Sequence, residues 1–413
     1  MGSGIFGDDK AAQRMLTTER TSVTTRCSVD GRRWMTVVTA HDMAERRGQE
    51  LTEAASIGTD ARVALLFARP GPDLEQFVAE VSRSVDVPVV GCTTAGLVTA
   101  DGVPDGVAQL VVLGGPGLDA AVSAGRIDEV GPRQAGAAAA GSVLDLPHRA
   151  HSVVMLLAEG LHGNLSEVVR GAYGTAGATI PLVGGCAGDD SAMSTTHQFY
   201  DGRVLQRSVV GAAITSEVPF GVGVSHGWQP IGHPMLVTGA EGTEVLTLDD
   251  RPALDVYLDM LGEDRHFSDA ASFARFAQTR PLGLQVRSGA QVRFVGGADV
   301  SRRSLQFLVP VPEGELVWVM TGDSASVLDA TETATRDALS QLGGHDPLGV
   351  VAFDCVARRG ILGDDRLPNE ISRVRDAIGS DAPVSGFYTY GEIARQGGSL
   401  GFHHQTMVVL GLA

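Results

Sequence analysis

Lysine is almost absent. Lys10 is the one lysine in 413 residues, so neither a P-loop lysine nor a Schiff-base lysine is available in the body of the chain. Cysteine is sparse too. Cys27, Cys92, Cys186 and Cys355 show no C-x-x-C spacing, which excludes a zinc ribbon and a thioredoxin motif and fits a reducing compartment. Aromatic residues make up 5%. No apolar run reaches membrane-spanning length, and the N-terminus lacks a cationic segment followed by an apolar one, so the expected address is the cytoplasm. Positive charge is outweighed, the formal net charge being -17, which argues against nucleic acid and against anionic membranes as partners. No Ser-His-Asp order, H-E-x-x-H pair or paired-cysteine metal site is present.

What is abundant is apolar sequence, at 43%, which excludes a disordered chain, together with 53 glycines. Three stretches share a wording. Pro88-Val-Val-Gly91 leads into Cys92, Thr93, Thr94 and Gly96. Pro181-Leu-Val-Gly184 leads into Gly185, Cys186, Gly188 and Asp189. Pro383-Val-Ser-Gly386 leads into Phe387, Tyr388, Thr389, Tyr390, Gly391 and Glu392. Each follows a continuous apolar run (Val63–Ala68, Ser152–Ala158, Leu348–Asp354) and a helical segment. The expected fold class is therefore α/β: mixed sheets flanked by helices, with internally repeated strand-helix-strand-hairpin units. The pairs 107–113 with 118–123, and 209–215 with 222–226, are expected to close the first two units as hairpins, the first through the glycine-rich link 114–117. Between roughly Trp228 and His345 the spacing opens to admit an inserted β-rich segment. Residues 1–31 are polar and read as a mobile arm, 32–245 as a first half and 246–413 as a second.

If the three glycine-bearing strand ends meet, they offer a common site, as strand ends of open α/β sheets do. The candidate ligand-contacting residues are Thr93, Thr94, Gly96, Gly185, Asp189, Arg358, Tyr388, Tyr390, Glu392 and His403. Each has a plainer reading beside it. Gly91, Gly184 and Gly386 bring a ligand close to the backbone or simply shape strand ends. Arg358 clamps a carboxylate or forms a salt bridge with Asp354 or Glu392. Asp189 and Glu392 accept from an ammonium group or cap a turn. Cys92, Cys186 and Cys355 are structural thiols unless a base lies beside them.

Several ordered motifs resemble one family. Pro88–Gly96, Pro181–Asp190, Gly227–Pro230, Val237–Gly242 and Leu248–Tyr257 resemble the N-terminal half of FIST-domain proteins. Cys355–Arg358, Gly386–Glu392 and Phe402–Thr406 resemble the C-terminal half. One departure is visible: the family usually carries asparagine where His404 stands. The resemblance implies a sensory input module that binds a small ligand, such as an amino acid or related metabolite. The signal would pass to a separate output protein, a histidine kinase or a cyclic-dinucleotide enzyme, since neither is legible in this chain. Some members bind haem and sense nitric oxide, so haem is an alternative ligand, with His226, His403 and His404 near family motifs. A hydrolase using a cysteine or Glu392 is a third reading.

Overall fold

The computed structural model describes residues 16–18, 21–28, 31–55, 57–100, 102, 106–263, 267, 269–286, 289–395 and 401–413. Three mixed sheets share one plan. In each, a continuous apolar strand pairs in parallel with a short glycine-bearing strand, and an antiparallel strand lies on its other side. The parallel pairs are Ala61–Ala68 with Val89–Thr93, His151–Ala158 with Leu182–Cys186, and Gly349–Cys355 with Val384–Thr389. The antiparallel neighbours are Ala108–Gly114, Ser208–Ser216 and Met407–Leu412.

The apolar runs are continuous because both strand faces are buried. Val63, Leu65 and Phe67, Val153, Met155 and Leu157, and Val351 and Phe353 all point into one central core, where the three sheets face each other. Phe387 joins them there, its ring centroid 4.8 Å from that of Phe67 and 5.6 Å from that of Phe353. The alternate residues face outward, onto helices. Ala64 and Leu66 meet the Leu74–Ser84 helix through Phe77, Val78 and Val81, as the 3.6-residue spacing of that helix requires. Val154, Leu156, Val350 and Ala352 share another core with residues of the helices Leu165–Ala176, Ser324–Ser340 and Leu367–Ile378.

The expected hairpins are not formed. Ala108–Gly114 and Leu118–Arg126 lie in different sheets, as do Ser208–Ser216 and Gly221–Ser225. The short links hand the chain from one sheet to the next, where the second strand becomes an outer neighbour. Local turn chemistry cannot distinguish that hand-over from a hairpin.

The other edge of each sheet is built by exchange. Gln198–Tyr200 pairs with Val89–Thr93, Glu392–Arg395 with Leu182–Cys186, and Leu97–Val98 with Val384–Thr389. Each short strand is thus covered by a segment that follows a different short strand, and the exchange closes in a ring. Phe199, Ile393 and Val98 stand opposite Gly91, Gly184 and Gly386 respectively.

Thr21–Cys27, expected in a mobile arm, is a strand paired antiparallel with Trp34–Ala40 along its whole length. Its β-branched residues favour that pairing despite their polarity. Leu16–Thr18 pairs antiparallel with the Thr21–Cys27 strand in turn, and residues 1–15, 19–20 and 29–30 fall outside the described residues. The inserted β-rich segment forms its own antiparallel sheet, beginning with Gln229–Glu241 and Glu244–Leu248. Its core gathers Met235, Val245, Tyr257, Phe273, Leu284 and Val317.

Candidate functional site

The three strand ends do come together, and they interlock through backbone hydrogen bonds. The Ala95 N–H donates to the Tyr388 carbonyl at 3.0 Å, and the Tyr388 N–H to the Gly96 carbonyl at 2.8 Å. The N–H groups of Gly188 and Asp190 donate to Thr93 and Thr94 at 2.9 and 3.1 Å. The Cys186 N–H reaches the Gly391 carbonyl at 2.8 Å, and the Tyr390 N–H the Cys186 carbonyl at 3.3 Å. Thr93, Thr94, Gly96, Gly185 and Tyr388 are buried at this junction. Their backbone donors are already engaged, which leaves little for a ligand.

The three aligned glycines serve the same packing. A Cβ on Gly91, Gly184 or Gly386 would press on the backbone of Leu66, Leu156 or Ala352, its partner on the parallel strand. The carbonyl carbons would lie 2.8, 2.9 and 2.7 Å away. Glycine is required because two backbones meet there.

Arg358 lies on no rim. It is 0% exposed. Its Nε donates to Asp354 at 2.6 Å, and its Nη2 to Glu370 at 2.9 Å and to the Thr331 hydroxyl at 2.6 Å. Burial opposes its charge, and the two carboxylates more than offset that, holding the guanidinium protonated. Asp354 is pushed well up by burial and by Glu370. The Tyr388 hydroxyl donates to Glu370 at 3.3 Å. This cluster ties the Gly349–Cys355 strand to helices Ser324–Ser340 and Leu367–Ile378.

A cavity of about 390 Å³ opens beside the junction. One wall comes from the second unit: Gly160–Gly163, Leu165, Ser191 and Met193. Another comes from the third, with Cys355–Ala357, Gly360, Tyr390, Phe402 and His404, and the inserted segment adds Gln278, Phe294, Leu308 and Val309. Met193 and Leu308, 57% and 51% exposed, stand at its mouth.

An irregularity in the ring explains where this space lies. Val98 follows Gly91 by seven residues and Ile393 follows Gly386 by seven, but Phe199 follows Gly184 by fifteen. The eight extra residues make a loop that supplies Ser191 and Met193 to the cavity. Asp190, Ser191 and Met193 hold positive φ angles of 55°, 67° and 52°. Such conformations are costly for residues with side chains and persist only when the surroundings impose them.

Asp189 imposes them. Its carboxylate accepts from the N–H groups of Met193 (2.9 Å), Ser194 (2.7 Å) and Thr195 (2.9 Å), and from the Tyr390 hydroxyl. Burial would raise its pKa, but these donors outweigh burial and hold it below the usual carboxylate range. Asp190 adds an ion pair with Arg69 at 2.8 Å.

Of the expected contact residues, Tyr390 alone lines the cavity. Asp189 orients it, and Glu392 lies behind Cys355. Glu392 accepts from the Thr389 hydroxyl at 2.5 Å and the Thr406 N–H at 3.1 Å. Burial pushes its carboxyl up to about 8 against those donors. The Cys355 thiol is pushed up as well, by burial first and by Glu392 second, so it is held as a thiol and not as a nucleophilic thiolate. The His403 Nε2 is 3.0 Å from the Ala394 carbonyl.

His404 is the residue sequence reasoning undervalued. It is 2% exposed, lines the cavity, and its Nδ1 is buried without a hydrogen-bond partner. Burial, helped by Arg293 and His403, pushes its pKa down to about 3, so the imidazole is neutral. Its one visible signal was the departure from the family's asparagine. Among the described residues, no group of three or more His, Cys, Asp or Glu side chains could hold a metal ion.

Comparison with known proteins agrees with this architecture. The FIST N domain model matches residues 62–251 and the FIST C domain model residues 253–395, and the chain belongs to the FIST family. FIST domains are signal-transduction sensory domains. An uncharacterized protein of Mycobacterium tuberculosis is 27% identical over 227 residues, covering 54% of this chain and 58% of that protein. An uncharacterized protein of Methanocaldococcus jannaschii is 38% identical over 155 residues, 35% of this chain and 30% of that protein. The matches thus span less than two thirds of either relative. No helix among the described residues is long and apolar enough to cross a membrane.

Proposed function

We propose that this chain is a cytoplasmic ligand-sensing input protein whose cavity takes a small molecule, an amino acid or a related metabolite. Its signal passes to a separate output protein, a histidine kinase or a cyclic-dinucleotide enzyme. One observation carries the reading: the cavity lies at the seam between the FIST N and FIST C segments, with walls from both. A volume of about 390 Å³ falls in the range of small-molecule sites. A molecule bound there touches both segments, so it favours whichever arrangement of them it fits better. Signalling requires that difference in affinity. Calorimetric titration of the full chain with amino acids and their amides tests the reading. Saturable binding that Val309→Trp abolishes is the expected result. Binding that survives the filled cavity would refute it.

His404 supports a second reading, haem. A neutral imidazole on the wall of a largely apolar cavity could hold a haem iron through a ring nitrogen. An absorption spectrum of the haem-reconstituted chain decides it: a Soret band that His404→Phe removes supports haem, and its absence excludes it.

A further inference from the structure

We infer that the cavity selects an uncharged, mainly apolar molecule with a hydrogen-bonding head group, and that the head group docks on His404. This rests on the sensory reading above and narrows its ligand class from amino acids and related metabolites to the uncharged relatives, such as amides, leaving zwitterions out. Among the described lining residues there is no arginine, lysine, aspartate or glutamate; the only titratable bases are His162 and His404. Arg358, the residue that could have clamped a carboxylate, is consumed by Asp354 and Glu370.

The carboxylates behind the wall are equally committed. Asp189 accepts from three N–H groups and the Tyr390 hydroxyl. Glu392 accepts from Thr389 and Thr406. Glu159 accepts from the Leu161 N–H (2.9 Å), the Thr196 hydroxyl (2.9 Å) and the Arg207 N–H (3.2 Å). A ligand ammonium group finds no free acceptor of opposite charge. A ligand carboxylate finds no cation on the wall itself, since Arg293, whose charge reaches His404, is not among the lining residues and donates to the Val292 carbonyl and the Gln291 side chain, and it enters beside three acidic side chains. Either ion gives up its hydration without compensation, which is the costly case.

A neutral head group meets the reverse situation. The His404 imidazole is nearly fully buried, its Nδ1 has no partner, and a neutral ring offers one donor and one acceptor. Leaving such a group unsatisfied costs more than pairing it gains, so a ligand that pairs it is favoured by that difference. Leu161, Phe294, Leu308, Val309 and Phe402 supply apolar surface for the remainder of the molecule.

Three probes of one shape and different charge test this: octanamide, octanoate and octylammonium, titrated calorimetrically into the full chain at pH 7.4 below their micelle concentrations. Octanamide is expected to bind at least tenfold more tightly than either ion. His404→Phe is expected to weaken octanamide tenfold or more, and His404→Asn, which restores hydrogen bonding, less than His404→Phe. Thermal melts of both variants establish that they fold. An ion that binds as tightly as the amide overturns the inference, and so does octanamide affinity unmoved by His404→Phe. If zwitterionic amino acids bind and Val309→Trp blocks them while octanamide fails, the sensory cavity stands and the inference falls. If nothing binds that Val309→Trp can block, both fall.

Discussion

Replacing Gly386 with alanine probes whether the recurrent glycines hold strands together or open them to a ligand. The new Cβ would sit 2.7 Å from the Ala352 carbonyl carbon and 2.8 Å from its nitrogen. Ordinary carbon contacts lie near 3.5–4.0 Å. No side chain can rotate away, because the obstacle is backbone. The φ of +150° adds a conformation that L-residues rarely adopt. Relief requires Gly349–Cys355 and Val384–Thr389 to part at the centre of their ladder, where Phe387 also anchors the central core. Overpacking costs about 1–3 kcal/mol and backbone strain about 1–3 kcal/mol, so the expected loss is about 2–6 kcal/mol. That is a large share of the ~5–15 kcal/mol that keeps domains folded. Urea unfolding followed by circular dichroism reads it as a lower midpoint. Gly184→Ala, at a φ of +143°, should behave alike, whereas Gly91→Ala meets the same backbone clash without the positive φ and should cost the overpacking part, about 1–3 kcal/mol. Gly174→Ala is the control: it lies in the Leu165–Ala176 helix with nothing within 4 Å of the new Cβ, and should stabilise by about 0.5–1 kcal/mol. A loss below about 1 kcal/mol in Gly386→Ala would refute the packing argument.

Arg358→Met leaves Asp354 and Glu370 buried without a counter-charge and should cost about 3–5 kcal/mol in urea unfolding, with ligand affinity of the folded fraction unchanged. Tyr390→Phe removes a donor from the ionised Asp189 and should cost about 1.5–3 kcal/mol; limited proteolysis should then cut within 190–195 faster than in the parent chain. The Glu392 carboxyl, raised to about 8, makes the folded chain hold a proton that the unfolded chain releases, so its contribution to stability falls as pH rises from about 4.5 to 8. His403 and His404, lowered to about 4 and about 3, act in the opposite direction: their contribution is present above about 6.5 and is lost as pH falls below it. Above about pH 6.5 the histidine contribution levels off while that of Glu392 keeps falling, so stability should turn downward toward pH 8, and Glu392→Gln should flatten that turn in pH-dependent thermal melts.

The amino-acid sequence by itself determined the fold class and the family. Both rest on short-range patterns: continuous apolar runs for doubly buried strands, helical spacing between them, and a glycine at one place in three short strands. It also determined that those strand ends are equivalent, since the same proline-to-glycine interval recurs. What it could not carry was partnership between distant segments. Whether 108–114 and 118–126 pair or separate depends on which sheet offers the better neighbour, and a two-strand local pattern is identical in both cases. The role of Arg358 was undecided for the same reason: a guanidinium is drawn equally to a ligand carboxylate and to Glu370, and only the packing of the Leu367–Ile378 helix on the Ser324–Ser340 helix brings Glu370 within reach. The cavity itself was invisible. It exists because one of the three exchanged connections is eight residues longer than the others and because the inserted segment folds back over the seam. Both are facts about how chain segments fill space, and close packing in three dimensions, not order along one, decides where space is left over.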